Sequence, residues 1–209
     1  MNIISALKDL TTLIVLWLGA KIAWEGLYIW KEQIRGNTEY DLAKRTLKAV
    51  YKVRDALESV RFWIMSSSEY NNARVELLRA NSPESGSPPP EPTRQDLTRM
   101  AYSVRWREVT AASQQLHEEY VEAEAVWGKE AKDLLLDIQN SVNRLGVALD
   151  AYLTDDQLSP EDRKMFKHEV INMSGNVPDE FSKELDERIE KIEKFVRPML
   201  QIRSTKKRT

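Results

Sequence analysis

Two histidines, His117 and His168, and no cysteine are the whole stock of strong nucleophiles and soft metal ligands in this chain. A helical metal site needs ligands three or four residues apart, as in Glu-x-x-His or His-Glu-x-x-His. His117 is followed by two glutamates and His168 by one, so neither histidine has that spacing. His117 with Tyr120 and Glu124 is a poor metal set, and no metal site is expected. The absence of cysteine removes disulfides, thiolate sites and cysteine nucleophiles. The seven glycines do not cluster into a phosphate-binding loop, and no Gly-x-Ser-x-Gly elbow occurs. Asp155-Asp156 lies in a turn without the rest of a calcium loop. No carboxylate stands isolated in an apolar stretch that would raise its pKa. The expectation is a protein with no catalytic residues and no cofactor, and not an enzyme.

Charged and aromatic groups leave three other sets to consider. Lys21 and Glu25 interrupt an apolar run, four residues apart on one helix face, where they can pair. They are either tolerated near a membrane surface or turned toward another helix of an oligomer. Lys44, Arg45, Lys48 and Lys52 follow that run as a basic cluster. Such a cluster can meet anionic lipid, be a solvated face, or pair with an acidic helix of the same chain. Trp63, Trp106 and Trp127 lie on polar helices, where tryptophans mark either contact surfaces or ordinary packing.

The element that would position all of this is Leu10 to Trp30, LTTLIVLWLGAKIAWEGLYIW. A helix crosses a bilayer core in about 20 mostly apolar residues, and this run has that length. Trp24, Tyr28 and Trp30 gather at one end, as interfacial aromatics do. A charge near the centre of a span costs roughly 2.5–3.5 kcal/mol, so Lys21 and Glu25 weaken the reading. An amphipathic helix lying in the interface is the rival. A signal peptide is not, because no small-residue cleavage site follows the apolar core. Lys31, Arg35, Lys44, Arg45 and Lys48 outnumber Lys8 on the other flank, which places the C-terminal bulk in the cytoplasm.

The predicted organisation is all-α: a short segment 1–9, an anchor 10–34, a juxtamembrane basic helix 37–80, a Pro-rich linker 81–93, a helical region 94–203 and a basic tail 204–209. Gly36-Asn37 is read as a break, with Thr38 and Asp41 opening the next helix. Tyr40, Ala43, Leu47, Val50, Val53, Leu57, Val60 and Ile64 form its apolar stripe, which ends near Ser66-Ser67-Ser68 or continues weakly to about Arg79. NSPESGSPPPEPT cannot be helix interior. The run Gln95 to Leu153 reads as one long helix of about 90 Å if unbroken, with Gly128 as a point of kinking. It would form half of an elongated antiparallel coiled coil or bundle. Its acidic middle, Glu118, Glu119, Glu122, Glu124, Glu130 and Asp133, complements the basic face of the preceding helix. Ser159-Pro160-Glu161-Asp162 is a helix start, and Pro178-Asp179-Glu180 opens a last helix with a seam from Phe181 to Leu200.

GNTEYDLAKRTLKAVYKVRDALESVR, directly after an N-terminal hydrophobic helix, resembles a group of uncharacterised bacterial membrane-anchored helical proteins. The resemblance covers the first third of the chain. It implies a bacterial source, a membrane location and a helical build, and carries over no activity. Charged residues are 31% and the formal net charge is −2, which gives no argument for nucleic acid. The expected function is that of a bacterial inner-membrane, single-pass adaptor or complex subunit that binds a protein partner. Homo-oligomers are expected of such chains. The alternative is a periplasmic coiled coil spanning the envelope, as in phage lysis proteins.

Overall fold

The computed structural model describes residues 3–81, 90–154, 159–172 and 178–205, with backbone alone for residues 3–13 and 202–205. Six helices follow in order: α1 (Ile3–Arg61), α2 (Ser67–Ala80), α3 (Arg94–Trp127), α4 (Lys129–Thr154), α5 (Pro160–Val170) and α6 (Glu180–Thr205). The fold is all-α. Most of the Pro-rich linker, and the Asp155-Asp156 pair expected in a turn, lie outside the described residues.

Apolar residues alternating at spacings of three and four draw four of these helices together. In α1 the buried seam is Ala43, Thr46, Val50, Val53, Leu57 and Val60. In α4 it is Ala131, Leu135, Ile138, Val142, Leu145 and Leu149. In α6 it is Leu185, Ile189, Ile192 and Val196. The seam of α3 runs through Tyr102, Arg105, Val109, Ala112, Leu116 and Ala123. Cross-helix bonds set the directions. Lys52 Nζ bonds Gln115 Oε1 at 2.8 Å and Arg105 reaches the Phe62 carbonyl at 2.6 Å, so α1 and α3 are antiparallel. Tyr51 Oη donates to Glu193 at 2.7 Å and Arg61 to Ser182 at 3.0 Å, which makes α6 antiparallel to α1 as well. Ser113–Gln139 and Arg99–Leu153 O fix α3 against α4, and Arg144 and Arg188 bond across α4 and α6. The result is an up-down-up-down four-helix bundle of α1, α3, α4 and α6, with α2 laid on α3 and α5 on α4.

Three expectations are corrected. Gly36-Asn37 does not break the chain: α1 runs through it for 59 residues. Arg35 pairs with Glu39 at 2.9 Å, and Thr38 Oγ1 bonds back to the Ile34 carbonyl at 3.1 Å, both across the supposed break. A single glycine costs a helix about 1 kcal/mol, too little to stop one that is packed on its C-terminal side. Second, the basic helix does not extend to residue 80. It ends at Arg61, and α2 restarts under a capping box in which Ser66 and Glu69 exchange side-chain and backbone bonds. Third, Gln95 to Leu153 is two helices. Gly128 adopts φ 82 and ψ −164, a conformation essentially reserved for glycine, and the chain turns back on itself there.

Ser159 and Pro160 start α5 as read, with Ser159 accepting from the Asp162 N–H. Asp179 likewise receives the Ser182 N–H at 3.0 Å at the head of α6.

Candidate functional site

The N-terminal part of α1, described at side-chain level from Ile14 to Arg35, stands clear of the bundle. Ile14, Val15, Leu16, Trp17, Leu18, Ile22, Trp24, Leu27, Tyr28, Ile29, Trp30 and Ile34 are all exposed, Trp24 at 75%. Packing on the same helix begins only at Gly36. Singly exposed apolar residues are ordinary, but a continuous column of this size marks a contact with lipid or protein. Lys21 lies 3.9 Å from Glu25, and its ammonium sits 5.9 Å from the Trp17 ring centre. Both charges are therefore partly matched within the helix. Among the described residues, no helix is long and apolar enough to cross a membrane. The side chains of Leu10 to Leu13, the start of the sequence-defined run, lie outside those residues.

The basic cluster is spread along the bundle portion of α1 and is partly used there. Arg45 pairs with Glu119 at 3.2 Å and also with Glu122, both on α3. Lys52 bonds Gln115, while Lys44 and Lys48 face solvent. Glu119 falls in phase with the α3 seam, and its side chain is only 13% exposed. Burial pushes its carboxyl up, against the opposing pull of Arg45. Its Oε2, although 3.2 Å from Arg45 Nε, lacks a hydrogen bond of good geometry, and the buried Thr46 hydroxyl has no hydrogen-bond partner.

At the opposite end of the bundle two buried arginines, Arg61 and Arg105, hold the loops. Arg61 is 3% exposed. It donates to the Glu169 carbonyl at 2.9 Å, to both oxygens of Asp179 and to Ser182, with its guanidinium 4.4 Å from the Phe181 ring centre. Burial alone would raise the Asp179 carboxyl, but the Arg61 and Ser182 bonds hold it below its usual value. Arg105 donates to Glu69 at 2.7 Å and to the carbonyls of Phe62 at 2.6 Å and Ile64 at 2.7 Å. The Arg105 hydrogen bond, aided by Ser66 and opposed by burial, lowers the Glu69 carboxyl to about 2. The signal for either residue was an arginine at a position in phase with the apolar seam.

Pinning two alternate carbonyls of a short loop fixes how it shows its side chains. Phe62, Trp63 and Ile64 are exposed at 52%, 55% and 46%. Of the three tryptophans singled out, Trp63 thus stands on the surface. Trp106 is half-buried over Gly146, and Trp127 is half-buried edge-on to Phe195, 5.9 Å between ring centres. At ~1.5 Å per residue, the loop lies about 48 Å along α1 from Trp30.

Among the described residues no group of three His, Asp or Glu is placed to hold a metal ion, and both histidines are exposed. The partly buried carboxylates with resolved shifts, Glu69, Glu119 and Asp179, sit apart, each with an arginine on it. The surface grooves are open, and one of about 530 Å³ between α4 and α5, beside Val147, Met165 and Phe166, is mostly apolar. Comparison of the chain with family models, with curated proteins and with solved structures gives no match.

Proposed function

We propose that this is a single-pass protein of a bacterial inner membrane. Its helical bundle stands in the cytoplasm and acts by binding a protein partner, as an adaptor or complex subunit rather than as a catalyst. One observation carries this: a single rigid helix joins an exposed apolar arm to an exposed aromatic loop. The arm supplies the anchor. Its described part is shorter than a span, and Leu10 to Leu13 of the sequence complete the roughly 20 residues required. The loop at Phe62, Trp63 and Ile64 supplies the contact surface, since rigid aromatic residues are typical interface anchors. The flank Lys31 and Arg35 supports the cytoplasmic orientation. The envelope-spanning alternative drew on an unbroken helix from Gln95 to Leu153, and the turn at Gly128 removes that length.

The test is alkaline extraction of membranes, followed by protease treatment of a C-terminal tag in spheroplasts and inverted vesicles. The expected result is a protein retained in the pellet whose tag is cut only in inverted vesicles. Release into the supernatant would overturn the anchor, and cleavage in spheroplasts would overturn the orientation. For the partner, a photo-crosslinker at Trp63 should give a defined adduct in cells, and one at exposed Val147 should not.

A further inference from the structure

We infer that a cationic groove at the end of the bundle away from the α1 arm binds a soluble small molecule carrying a diphosphate. This goes beyond the reading above and stands whether or not the arm enters a bilayer.

The groove holds about 560 Å³ and opens between the start of α3, the end of α4 and α5. Arg94 and Arg99 line it from α3, Arg163 and Lys167 from α5, and Tyr152 and Leu153 from α4. Among the described residues, no acidic side chain lines it. Arg163 and Lys167 stand one helical turn apart and share a face of α5. Like charges gathered in a cleft repel one another, and a multiply charged anion relieves that repulsion. The rest of the bundle is built differently. Arg45, Arg61, Arg105, Arg107 and Arg144 each hold a carboxylate. Arg94 and Lys167 are ion-paired with none among the described residues. Two neighbouring acids are committed to helix caps: Asp96 accepts from the Thr93 N–H at 3.0 Å, and Asp162 from the Ser159 hydroxyl at 2.8 Å. Asp155 and Asp156 follow α4 outside the described residues, and the four cations outnumber them.

The donors suit phosphate. Arg99 Nε donates to the Leu153 carbonyl at 2.8 Å, which fixes the guanidinium plane and leaves its two terminal nitrogens for a second acceptor. A planar pair of N–H donors fits two phosphate oxygens at once. Arg94 opens α3, where the positive end of the helix dipole also favours an anion. Cations on two walls match two linked phosphates better than one. The half-buried Tyr152 and Leu153 give the body of the ligand an apolar floor. The occupant comes from water rather than from lipid. Arg105 holds the Phe62 carbonyl, and Arg94 lies ~16 Å further along α3, away from the arm.

Isothermal titration calorimetry of the full chain with sodium pyrophosphate, orthophosphate and sulfate, at matched ionic strength, tests this. Pyrophosphate should bind one to one and at least about tenfold tighter than either other anion. That comparison needs no variant. Arg94→Gln combined with Lys167→Gln should weaken pyrophosphate at least about tenfold. Lys44→Gln combined with Lys48→Gln makes the same charge change on solvent-facing residues of α1 and should leave binding unchanged. Circular dichroism checks that both variants keep the bundle. Pyrophosphate binding no tighter than sulfate would mean an adventitious ion only and would overturn the inference. Equal weakening by the two double variants would overturn it too, since binding would then follow net charge and not the groove.

Discussion

Arg105 Nε donates to Glu69 Oε1 at 2.7 Å, so the first turn of α2 is held to α3 by a guanidinium that is only 8% exposed. The same group satisfies the carbonyls of Phe62 and Ile64, which ties the exposed aromatic loop to the bundle seam. Replacing Arg105 with Met keeps the volume but strands those acceptors. An orphaned buried polar group costs about 1–3 kcal/mol, and two carbonyls and a carboxylate are affected here. Urea denaturation of the bundle should therefore show a loss of about 2–3 kcal/mol. A variant within a few tenths of wild type would mean that water replaces the arginine.

The same pair predicts an acid transition. Glu69 has a folded pKa of about 2 against an ordinary value of 4.5, so its ionised form stabilises the fold. That contribution is complete above about pH 4.5 and is lost as the pH falls toward 2. Glu69→Gln should lower the urea midpoint at neutral pH and flatten the decline of stability between pH 4.5 and 2. Parallel curves for the two proteins across that window would remove Glu69 as a cause.

Trp106 and Gly146 set how closely α3 approaches α4. A Cβ built on Gly146 would lie 2.9 Å from Trp106 Cζ2 and 3.2 Å from Cη2. Alanine in an open helix gains about 1 kcal/mol over glycine. At Gly146 the clash should reverse the sign, with overpacking costing about 1–3 kcal/mol. The double variant Gly146→Ala, Trp106→Leu should recover the helix gain relative to Trp106→Leu alone. Additive effects in that thermodynamic cycle would show that the indole moves aside freely.

These cases also show where sequence reading stops. The apolar stripes of α1 and α6 were legible because their seam residues are nearly all aliphatic. The seam of α3 was legible only in part: Ala112, Leu116 and Ala123 fall on the apolar face, but Arg105 and Glu119 also occupy seam positions, and apolar periodicity alone takes in Met100, Val104 and Tyr120 in their place. A buried arginine is settled by the carbonyls of a distant loop, and nothing local announces them. The break at Gly36 was misplaced for a related reason. Whether one glycine ends a helix depends on what the flanks pack against, and the α1 flank packs on α3 and α6. The exposed aromatic loop was half legible, in that Trp63 could be named but not its fixed presentation.

Glu119 should be a site where removing a charge helps. Its carboxylate is held in the α1–α3 interface, and burial raises its pKa against the pull of Arg45. A raised carboxyl destabilises the fold when ionised, so the penalty exists above the folded pKa and vanishes below the ordinary value of 4.5. Glu119→Gln keeps the shape and leaves Arg45 its second partner, Glu122. Its stability at neutral pH should exceed wild type by about 1 kcal/mol, with the advantage fading below about pH 4.5. Lower stability at neutral pH would mean that the Arg45 pairing outweighs burial.

Gly128 decides whether α3 and α4 form a hairpin at all. At φ 82 and ψ −164 it is the only residue with a positive φ among those described. A Cβ there meets nothing within 4 Å, so crowding is not the constraint; the backbone conformation is. Alanine in that region is strained by about 1–3 kcal/mol, and alanine is also the residue that most favours continuing a helix. Gly128→Ala therefore pushes two ways toward one outcome. The hairpin loses stability, and the continuous helix that the surrounding sequence resembles gains it. Helices that straighten at a hinge exchange partners between chains, since α4 and α6 can complete the bundle of a second copy. Size-exclusion chromatography of the variant should show a concentration-dependent dimer with unchanged helical circular dichroism, while wild type at the same concentration shows no such dimer and elutes later. A variant that remains in the wild-type peak but melts lower by the strain alone would keep the turn and remove the exchange. A variant of undiminished stability would show that the turn does not need glycine.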